Sequence, residues 1–241
     1  MGIDIGGSGI KGAPVDLSTG TLAGERHRID TPQPSTPDAV VEVVAGIVEF
    51  FQYGGPVGCT LPSVVRHGVV GTAANIDEGW IGVDGRALLE RRLRTPVALL
   101  NDADAAGIAE LTYGAAKGVA GLVCLLTFGT GIGSALFVDG VLVPNTEFGH
   151  FEFKGGEAED YASARVRKDA NLSWEDWGVR VGEYLRYVER VVSPDLFILG
   201  GGVSRRLGKF EQYLHCSTPI VPARLRNNAG IVGAALLAAS L

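Results

Sequence analysis

Short apolar runs separated by glycine turns dominate this chain of 241 residues. Two such runs, at 2–5 and 10–15, lie on either side of the turn Gly6-Gly7-Ser8-Gly9, which predicts a β-hairpin. The runs at 97–101 and 122–127 show no alternation of polar and apolar residues, which is typical of strands buried in a parallel sheet. Further strands are predicted at 22–29, 56–61, 134–138 and 196–199, with a hairpin signal at Asp139-Gly140.

Helix signals follow several of these strands. Thr36-Pro37-Asp38 combines a capping hydroxyl, a proline at the first helical position and an acidic residue in the first turn. Ser173, with Asp176 at the capping-box position, marks the start of a second helix. These two helices are predicted to end near Phe51 and Val192, and others to cover 103–113, 228–241 and the segment after Gly202. Alternating strands and helices predict an α/β fold, in which ligands bind where strands end and helices begin.

The amino-acid composition limits the classes of function that this protein can have. The 35 glycines are about twice the ordinary share and show no collagen period, so we expect them to serve turns and close backbone approaches. A net charge of -6 argues against binding nucleic acid through a whole-surface positive field. No apolar run reaches the roughly 18 residues of a membrane span, and three widely separated cysteines indicate neither a disulfide framework nor a zinc site. We therefore expect a cytoplasmic protein with no nucleic-acid or membrane partner.

Three glycine-rich turns have the composition of phosphate-binding sites, because backbone N–H groups can converge on an anion only where side chains leave room. The positions concerned are Gly6, Gly7 and Ser8, then Thr127, Gly129, Thr130 and Gly131, then Gly201 and Gly202, the last turn being followed by Arg205, Arg206 and Lys209. Asp4 is expected to hold Mg²⁺ through water, and Lys11 to neutralise phosphate charge. Plain hairpin tips flanked by solvated charges are the alternative interpretation.

Two polar groups suit a ligand that carries hydroxyls. Asn101 and Asp102 lie at the carboxyl end of a predicted buried strand, where a carboxylate can accept a hydroxyl proton. Glu147, His150 and Glu159 follow a later strand, and carboxylates and imidazole can fix the direction of a hydroxyl. No cysteine or second histidine stands near His150, so zinc is not expected. A carboxylate combined with phosphate-binding turns suggests a kinase.

The order of these motifs resembles the sugar kinases of the ROK family (repressors, open reading frames and kinases) in the actin-like ATPase superfamily. The motifs are Asp4-Ile5-Gly6-Gly7, Asn101-Asp102-Ala103, Gly129-Thr130-Gly131, Glu147-Phe148-Gly149-His150 and Gly200-Gly201-Gly202-Val203-Ser204. Within the family, Leu142-Val143-Pro144-Asn145 and Asn227-Asn228-Ala229-Gly230 look most like actinobacterial polyphosphate glucokinases and glucomannokinases. The chain departs from many relatives in two ways: it has no cysteine cluster for structural zinc, as in the polyphosphate branch, and Ser63 stands where relatives usually have glycine.

The resemblance implies a two-lobed actin-like ATPase (ribonuclease H-like) α/β fold with a central cleft that holds the sugar. The small lobe would comprise residues 1–105 completed by the helix at 228–241, and the large lobe residues 106–227. No helix-turn-helix segment precedes Asp4, so the repressor branch is not expected.

The resemblance also implies a reaction: a phosphoryl group passes from inorganic polyphosphate, with ATP as a second donor, to the 6-hydroxyl of glucose in the presence of Mg²⁺. Asp102 would accept the hydroxyl proton, and the three glycine turns would hold the donor. The other sugar hydroxyls would be held by Asn75, Asn101, Glu147, His150 and Glu159. The donor groove should be basic, with Lys11, Arg205, Arg206 and Lys209 as its lining, whereas Arg165, Arg167 and Lys168 fit either this groove or a solvated helix face. A homodimer is expected.

Two other functions fit the same residues. The first is an ATP-dependent ROK kinase for another hexose, either mannose or an N-acetylhexosamine, which a panel of sugars would distinguish. The second is a sensor of the actin-like superfamily that binds sugar or nucleotide without turnover. The intact Asn101-Asp102 pair and the sugar motif at Glu147 favour an enzyme over a sensor.

Overall fold

Two five-stranded sheets carry the fold in the computed structural model, which describes residues 1–241. The chain divides into two units. Unit 1 comprises Met1–Thr112 together with Asn228–Leu241, and unit 2 comprises Tyr113–Asn227. Each unit contains one of the two large sheets.

The strands are β1 (Gly2–Ile5), β2 (Ile10–Ala13), β3 (Val15–Asp16), β4 (Thr21–Leu22), β5 (His27–Ile29), β6 (Val57–Leu61), β7 (Val65–Arg66), β8 (Val69–Val70), β9 (Val97–Asn101), β10 (Leu122–Phe128), β11 (Ile132–Val138), β12 (Val141–Val143), β13 (Glu152–Phe153), β14 (Gly156–Glu157), β15 (Leu196–Gly201) and β16 (Ile220–Pro222). The α-helices are α1 (Pro37–Phe50), α2 (Gly85–Leu93), α3 (Asp102–Tyr113), α4 (Ala158–Ala162), α5 (Ala164–Asp169), α6 (Trp174–Val192) and α7 (Ala229–Ala238). Short 3-10 helices cover Glu78–Trp80, Ser204–Lys209, Glu211–Tyr213 and Arg226–Asn228. None of these helices combines the length and the apolar character that crossing a membrane requires.

The sheet of unit 1 has the strand order β5-β2-β1-β6-β9. β1 and β2 form the predicted antiparallel hairpin, whereas β1, β6 and β9 run parallel to one another. Every residue of β6 and β9 is buried, which explains why their sequences do not alternate between polar and apolar residues. Helix α1 contributes Val40, Val44 and Ile47 to the same buried cluster as Ile3 and Ile5 of β1, and this cluster is the core of the unit.

Helix α7 packs against β1 and β6 at a distance that only glycine permits. A Cβ on Gly2 would lie 1.8 Å from the carbonyl oxygen of Ile231, and one on Gly58 would lie 1.8 Å from that of Ala234. The glycine- and alanine-rich composition of the C-terminal helix is what allows this contact. The close fit explains how the last residues of the chain become part of unit 1.

The sheet of unit 2 has the strand order β12-β11-β10-β15-β16. β10, β15 and β16 are parallel, and β11 pairs antiparallel with both β10 and β12. Helix α6 buries Trp177 and Tyr184, whose rings meet the ring of Phe128 edge-on at centroid distances of 5.9 and 6.2 Å. Such edge-to-face contacts suit the charge distribution of aromatic rings, and they join α6 to the end of β10.

Most predicted elements are confirmed. Thr36 Oγ1 accepts a hydrogen bond from the Ala39 N–H at 3.4 Å, and Ser173 Oγ accepts one from the Asp176 N–H at 3.0 Å, so α1 and α6 begin where their capping residues predicted.

Two predictions are wrong. The single strand expected at 22–29 is two strands, β4 and β5, with different partners, because exposed Glu25 and Arg26 interrupt it. The helix expected after Gly202 is a six-residue 3-10 helix, a form that short segments favour.

Candidate functional site

Three parallel strands of unit 1 end at the same edge of its sheet. The register pairs Asp4 of β1 with Thr60 of β6, and Leu61 of β6 with Asn101 of β9. The segments that follow these strands are the first glycine turn, the loop that contains Ser63, and the start of α3 at Asp102. Neighbouring strands lie about 4.8 Å apart, so the ends of β1 and β9 are about 10 Å apart. The fold of unit 1 therefore places the predicted base and the first predicted phosphate turn along one edge.

Asn101 is buried and caps helix α3. Its Oδ1 accepts hydrogen bonds from the Ala103 N–H at 2.8 Å and the Asp104 N–H at 3.1 Å. Its Nδ2 donates to the backbone oxygen of Ser63 at 3.2 Å. These bonds fix the first turn of α3, so the residue predicted to bind sugar also orients its neighbour, Asp102. The preference of asparagine for the N-cap is a signal that sequence reasoning missed here.

Asp102 is half-buried at the first position of α3. Its Oδ1 accepts a hydrogen bond from the Ala103 N–H at 2.8 Å. The same N–H is also bonded by Asn101, so two side chains share one backbone donor. The hydroxyl of Ser63, the residue that departs from glycine in the family pattern, is buried without a hydrogen-bond partner.

The first glycine turn is held by residues that the sequence analysis did not single out. Arg28 donates from Nη2 to the backbone oxygen of Ser8 at 3.1 Å, and Thr31 Oγ1 donates to the backbone oxygen of Gly6. A Cβ on Gly7 would lie 2.8 Å from the backbone oxygen of Asn75, so glycine is required for this approach. Asn75 therefore lies beside the first turn.

Asp4 and Lys11 stand opposite each other in the hairpin and form a salt bridge of 3.0 Å between Oδ2 and Nζ. The second carboxylate oxygen of Asp4 accepts a hydrogen bond from Thr60 Oγ1 at 3.0 Å. Both oxygens of Asp4 thus have partners within the protein. A contact with Mg²⁺ through water is compatible with these bonds, whereas direct coordination would compete with them.

In unit 2, the parallel strands β10 and β15 end side by side, with Thr127 opposite Gly200 and Phe128 opposite Gly201. The second and third glycine turns are therefore neighbours. Gly201 has a φ of +78°, and a Cβ there would lie 2.3 Å from the backbone oxygen of Phe128. Only glycine tolerates both the positive φ and the close approach of the Phe128 backbone, which explains why position 201 in the third turn is glycine.

Glu159 is bonded directly to the second glycine turn. Its Oε2 accepts a hydrogen bond from the Ile132 N–H at 3.0 Å, and a Cβ on Gly131 would lie 2.1 Å from the same oxygen. Glu159, which was predicted to hold a sugar hydroxyl, therefore packs against Gly131, which was predicted to hold phosphate. One of its two carboxylate oxygens is already engaged in shaping the turn.

Glu147 and His150 belong to a cluster of charged groups that includes Glu157. His150 Nδ1 lies 3.0 Å from Glu157 Oε2, and its Nε2 lies 3.7 Å from Glu147 Oε2. Partial burial lowers the pKa of His150, but the hydrogen bond with Glu157 and the surrounding carboxylates outweigh burial and raise it overall. Burial also raises the pKa of Glu147, opposed by His150 and reinforced by Glu159.

The raised pKa of His150 favours the imidazolium form, in which both ring nitrogens are donors. Ligand atoms of His150, Glu157 and Glu159 lie within 4.8 Å of one another, and this is the group in the protein with the side chains to hold a metal ion. Exposed acidic groups with such spacing are common without an ion. Sequence reasoning missed Glu157, whose only signal is its position two residues before Glu159.

The basic residues expected to line a donor groove are distributed over several elements. Arg205, Arg206 and Lys209 lie on the 3-10 helix that follows the third glycine turn. Trp174 connects this helix to α5, because the guanidinium of Arg167 lies 3.8 Å and Lys209 Nζ 5.8 Å from the centre of its ring. Arg165 and Lys168 are also on α5, and Arg165 Nη2 lies 3.4 Å from Asp160 Oδ1. Lys11 is on β2 of unit 1.

Comparison with known sequences gives a consistent set of relatives. A model of the ROK family matches residues 1–162. The polyphosphate glucokinase of Mycobacterium tuberculosis is 53% identical over 237 residues, which cover 98% of this chain and 89% of that protein. The polyphosphate glucokinase of Mycobacterium leprae is 51% identical, with 98% of this chain and 73% of that protein covered.

Comparison with solved structures also finds sugar kinases. The inorganic polyphosphate/ATP-glucomannokinase from Arthrobacter sp. strain KM superimposes with a TM-score of 0.95 at 52% identity, covering 99% of this chain and 97% of that one. A ROK family glucokinase from Streptomyces griseus, solved with glucose and AMPPNP, gives a TM-score of 0.85 at 25% identity, covering 100% and 99% of the two chains. These neighbours confirm the expected α/β fold of the actin-like ATPase class.

Proposed function

The chain belongs to the ROK family, and we propose that it transfers a phosphoryl group from inorganic polyphosphate to the 6-hydroxyl of glucose. The observation that carries the proposal is the 53% identity, over 98% of the chain, with a polyphosphate glucokinase. ATP acts as a second donor, as the name of the Arthrobacter enzyme indicates for that relative. The products are glucose 6-phosphate and a polyphosphate shortened by one unit.

Asp102 is the proposed general base. The 6-hydroxyl oxygen attacks the terminal phosphorus, the bond between that phosphorus and its bridging oxygen breaks, and the hydroxyl proton passes to the Asp102 carboxylate. In a loose transition state, orienting the reactants and stabilising charge contribute more than proton transfer. The hydrogen bonds that fix the first turn of α3 support this role, because they hold Asp102 in one orientation.

The sugar hydroxyls are the proposed ligands of Asn75, Asn101, Glu147, His150 and Glu159. A protonated His150 can donate a hydrogen bond to one sugar hydroxyl, and Glu147 can accept a hydrogen bond from a neighbouring one. The pair can therefore fix the direction of two neighbouring hydroxyls. Glu157 is a positioning residue, since it bonds the ring nitrogen of His150 that faces away from Glu147.

The donor phosphates are the proposed ligands of the three glycine turns and of the basic residues that adjoin them. These positions are Gly6, Gly7, Ser8, Lys11, Thr127, Gly129, Thr130, Gly131, Gly201, Gly202, Arg205, Arg206 and Lys209. Mg²⁺, held through water by Asp4, would neutralise charge on the donor oxygens. The adjacency of the second and third turns at one sheet edge supports this assignment.

The proposal is tested with purified protein, Mg²⁺ and glucose, with polyphosphate and ATP compared as donors. Formation of glucose 6-phosphate from polyphosphate is the expected result. Absence of product with polyphosphate would contradict the proposal, and product with ATP alone would identify an ATP-dependent kinase instead. Mannose belongs in the same assay because one similar structure is that of a glucomannokinase.

We also propose that the protein works in the cytoplasm as a homodimer. All three cysteines are free, and burial raises the pKa of the Cys59 thiol to about 12, which keeps that thiol unreactive. Light scattering coupled to gel filtration measures the oligomeric state, and a mass of one chain would contradict the dimer.

A further inference from the structure

Unit 2 contains a cavity of about 220 Å³ that is lined by helix α6 and by the hairpin of β13 and β14. Helix α6 contributes residues at positions i, i+3, i+4 and i+7, which share one face of a helix. The lining residues are Glu183, Arg186, Tyr187, Arg190, Phe153 and Lys154. None of them belongs to the proposed sugar-binding or donor-binding positions, so the reaction described above leaves this cavity without a role.

Cationic side chains outnumber acidic ones in the lining of this cavity by three to one. The single acid, Glu183, accepts hydrogen bonds from Lys154 Nζ and, at 2.6 Å, from the Tyr161 hydroxyl. Glu183 is therefore already paired with Lys154. Neither Arg186 nor Arg190 forms a salt bridge. Two positive charges at the cavity are thus left without a paired acid.

The two arginines lie one turn apart on α6 and are held differently. Arg186 Nη1 donates a hydrogen bond to the backbone oxygen of Leu214 at 3.0 Å, which orients the guanidinium but does not neutralise it. Arg190 is exposed in the last turn of the helix. The nearby carboxylate of Glu189 is bonded to the N–H and the hydroxyl of Thr218, at 2.6 and 2.8 Å. Like charges at i and i+4 repel each other, so an anion bound between the arginines would relieve this repulsion.

The apolar part of the cavity wall is aromatic. The rings of Phe153 and Tyr187 have their centroids 5.3 Å apart and are inclined at 70°, so together they form a corner. The Tyr187 ring also packs on Phe151 at a centroid distance of 4.9 Å, which holds it in place although the residue is exposed. A ligand at the arginines therefore meets an apolar surface beside its anionic group.

The size and the chemistry of the cavity together define a class of ligand. A guanidinium is a planar fork of donors that matches the oxygens of a phosphate group. Sites for drug-sized ligands have volumes of about 300 to 1,000 Å³, so this smaller cavity suits a compact ligand rather than a nucleotide or a long polyanion. One phosphate on a small body with an apolar face meets these conditions. The class is a small phosphate monoester.

We infer that this cavity binds a hexose monophosphate, with its phosphate at Arg186 and Arg190 and a carbon face of its sugar ring against Tyr187 and Phe153. The choice of a hexose as the organic part rests on the proposed function, whose product has this chemistry. The binding of a phosphate group rests on the two arginines alone. The product then has a binding site on the protein besides the one in which it forms.

The test measures the binding of glucose 6-phosphate by calorimetry, with saturating glucose and no donor, so that glucose fills the proposed sugar site. A second series uses inorganic phosphate. The wild-type protein should bind glucose 6-phosphate more tightly than inorganic phosphate, because only the sugar ring reaches the aromatic corner. Arg190→Gln should raise the dissociation constant for glucose 6-phosphate by about tenfold, the effect of losing one charge-assisted contact. Arg190→Lys, which keeps the charge but not the fork, should be intermediate.

Arg91→Gln is the matched control. Arg91 is also an exposed arginine in the last turn of a helix, α2, and it forms no salt bridge. This variant should bind glucose 6-phosphate as the wild-type protein does. Thermal unfolding establishes that each variant is folded.

Three results would overturn the inference. The first is no binding of glucose 6-phosphate in the presence of glucose. The second is equal affinity for glucose 6-phosphate and inorganic phosphate, which would remove the sugar from the assignment. The third is a wild-type dissociation constant in the folded Arg190→Gln variant. None of these measurements requires turnover, so a protein that makes no glucose 6-phosphate from polyphosphate would refute the proposed function separately.

Discussion

Replacing Asp102 by asparagine isolates the proposed proton transfer from the architecture around it. The Oδ1 atom of Asp102 accepts a hydrogen bond from the Ala103 N–H, and an asparagine oxygen can accept the same bond. Asn101 continues to cap α3 through its own bonds to Ala103 and Asp104. The variant therefore keeps the helix start, and loses the negative charge and the ability to take up a proton.

The expected fall in kcat can be estimated from the proposed role of Asp102 as a general base. General-base assistance contributes about 10² to 10⁴-fold in rate, which corresponds to about 3 to 5.5 kcal/mol of activation free energy. We expect kcat to fall by at least about 10²-fold. The dissociation constant for glucose should change by less than about threefold, because an amide still bonds to a hydroxyl.

The assay measures kcat with saturating polyphosphate and glucose, and glucose binding by calorimetry without a donor. Asp38→Asn is a matched control, since Asp38 is also an acidic residue in the first turn of a helix and no catalytic role is proposed for it. A kcat within about threefold of wild type in Asp102→Asn would refute the assignment of the base. A fall in kcat that accompanies a loss of thermal stability would instead indicate a structural role.

Three further predictions concern the architecture of the site and the core. Asn101→Ala removes the cap of α3 and the bond to Ser63, so the free energy of unfolding measured in urea should fall by about 1 to 2 kcal/mol, and an unchanged value would show that the cap is not needed. Glu157→Gln should lower the pKa of His150 in an NMR titration, since Glu157 is its hydrogen-bond partner. Because the folded-state pKa of His150 is raised, its contribution to stability is full below the unfolded value of 6.5 and is lost as pH rises through the folded value. The variant should flatten the pH dependence of stability in that window, and an unchanged titration would exclude Glu157 as the cause. Gly58→Ala forces a Cβ against the Ala234 backbone and should destabilise the protein by about 3 kcal/mol or more, whereas Gly46→Ala on α1, with open space around it, should be neutral or stabilising. Equal effects at the two glycines would contradict the packing argument for α7.

Local patterns predicted the elements of the candidate site well. The N-caps at Thr36 and Ser173 are confirmed, because a capping hydroxyl and the N–H it bonds lie within three residues of each other. The buried strands β9 and β10 are confirmed, because a strand covered on both faces needs no polar side chains. The pairing of Asp4 with Lys11 was not predicted, although the register of the β1-β2 hairpin places them opposite each other.

Contacts between distant segments were not predictable in the same way. The bond between His150 and Glu157 depends on the hairpin of β13 and β14, two strands of two residues each, too short to leave a sequence pattern. The bond from Asn101 to Ser63 depends on β6 and β9 being neighbours, which no residue in either strand specifies. The roles proposed for Asp102, Glu147 and the glycine turns remain predictions for the experiments above.

Residues within a few positions of one another were enough to predict where this chain turns, which runs are buried, and that a carboxylate follows a buried strand at Asp102. In contrast, it is the folded structure that shows β10, β15 and β16 ending side by side, with Arg224 and Arg226 lining the same cavity as Ser204, which follows the third glycine turn. The order of parallel strands could not be predicted locally, because it depends on how the faces of the strands and the helices between them pack. That packing is a property of the whole sheet, and no single segment of the sequence encodes it.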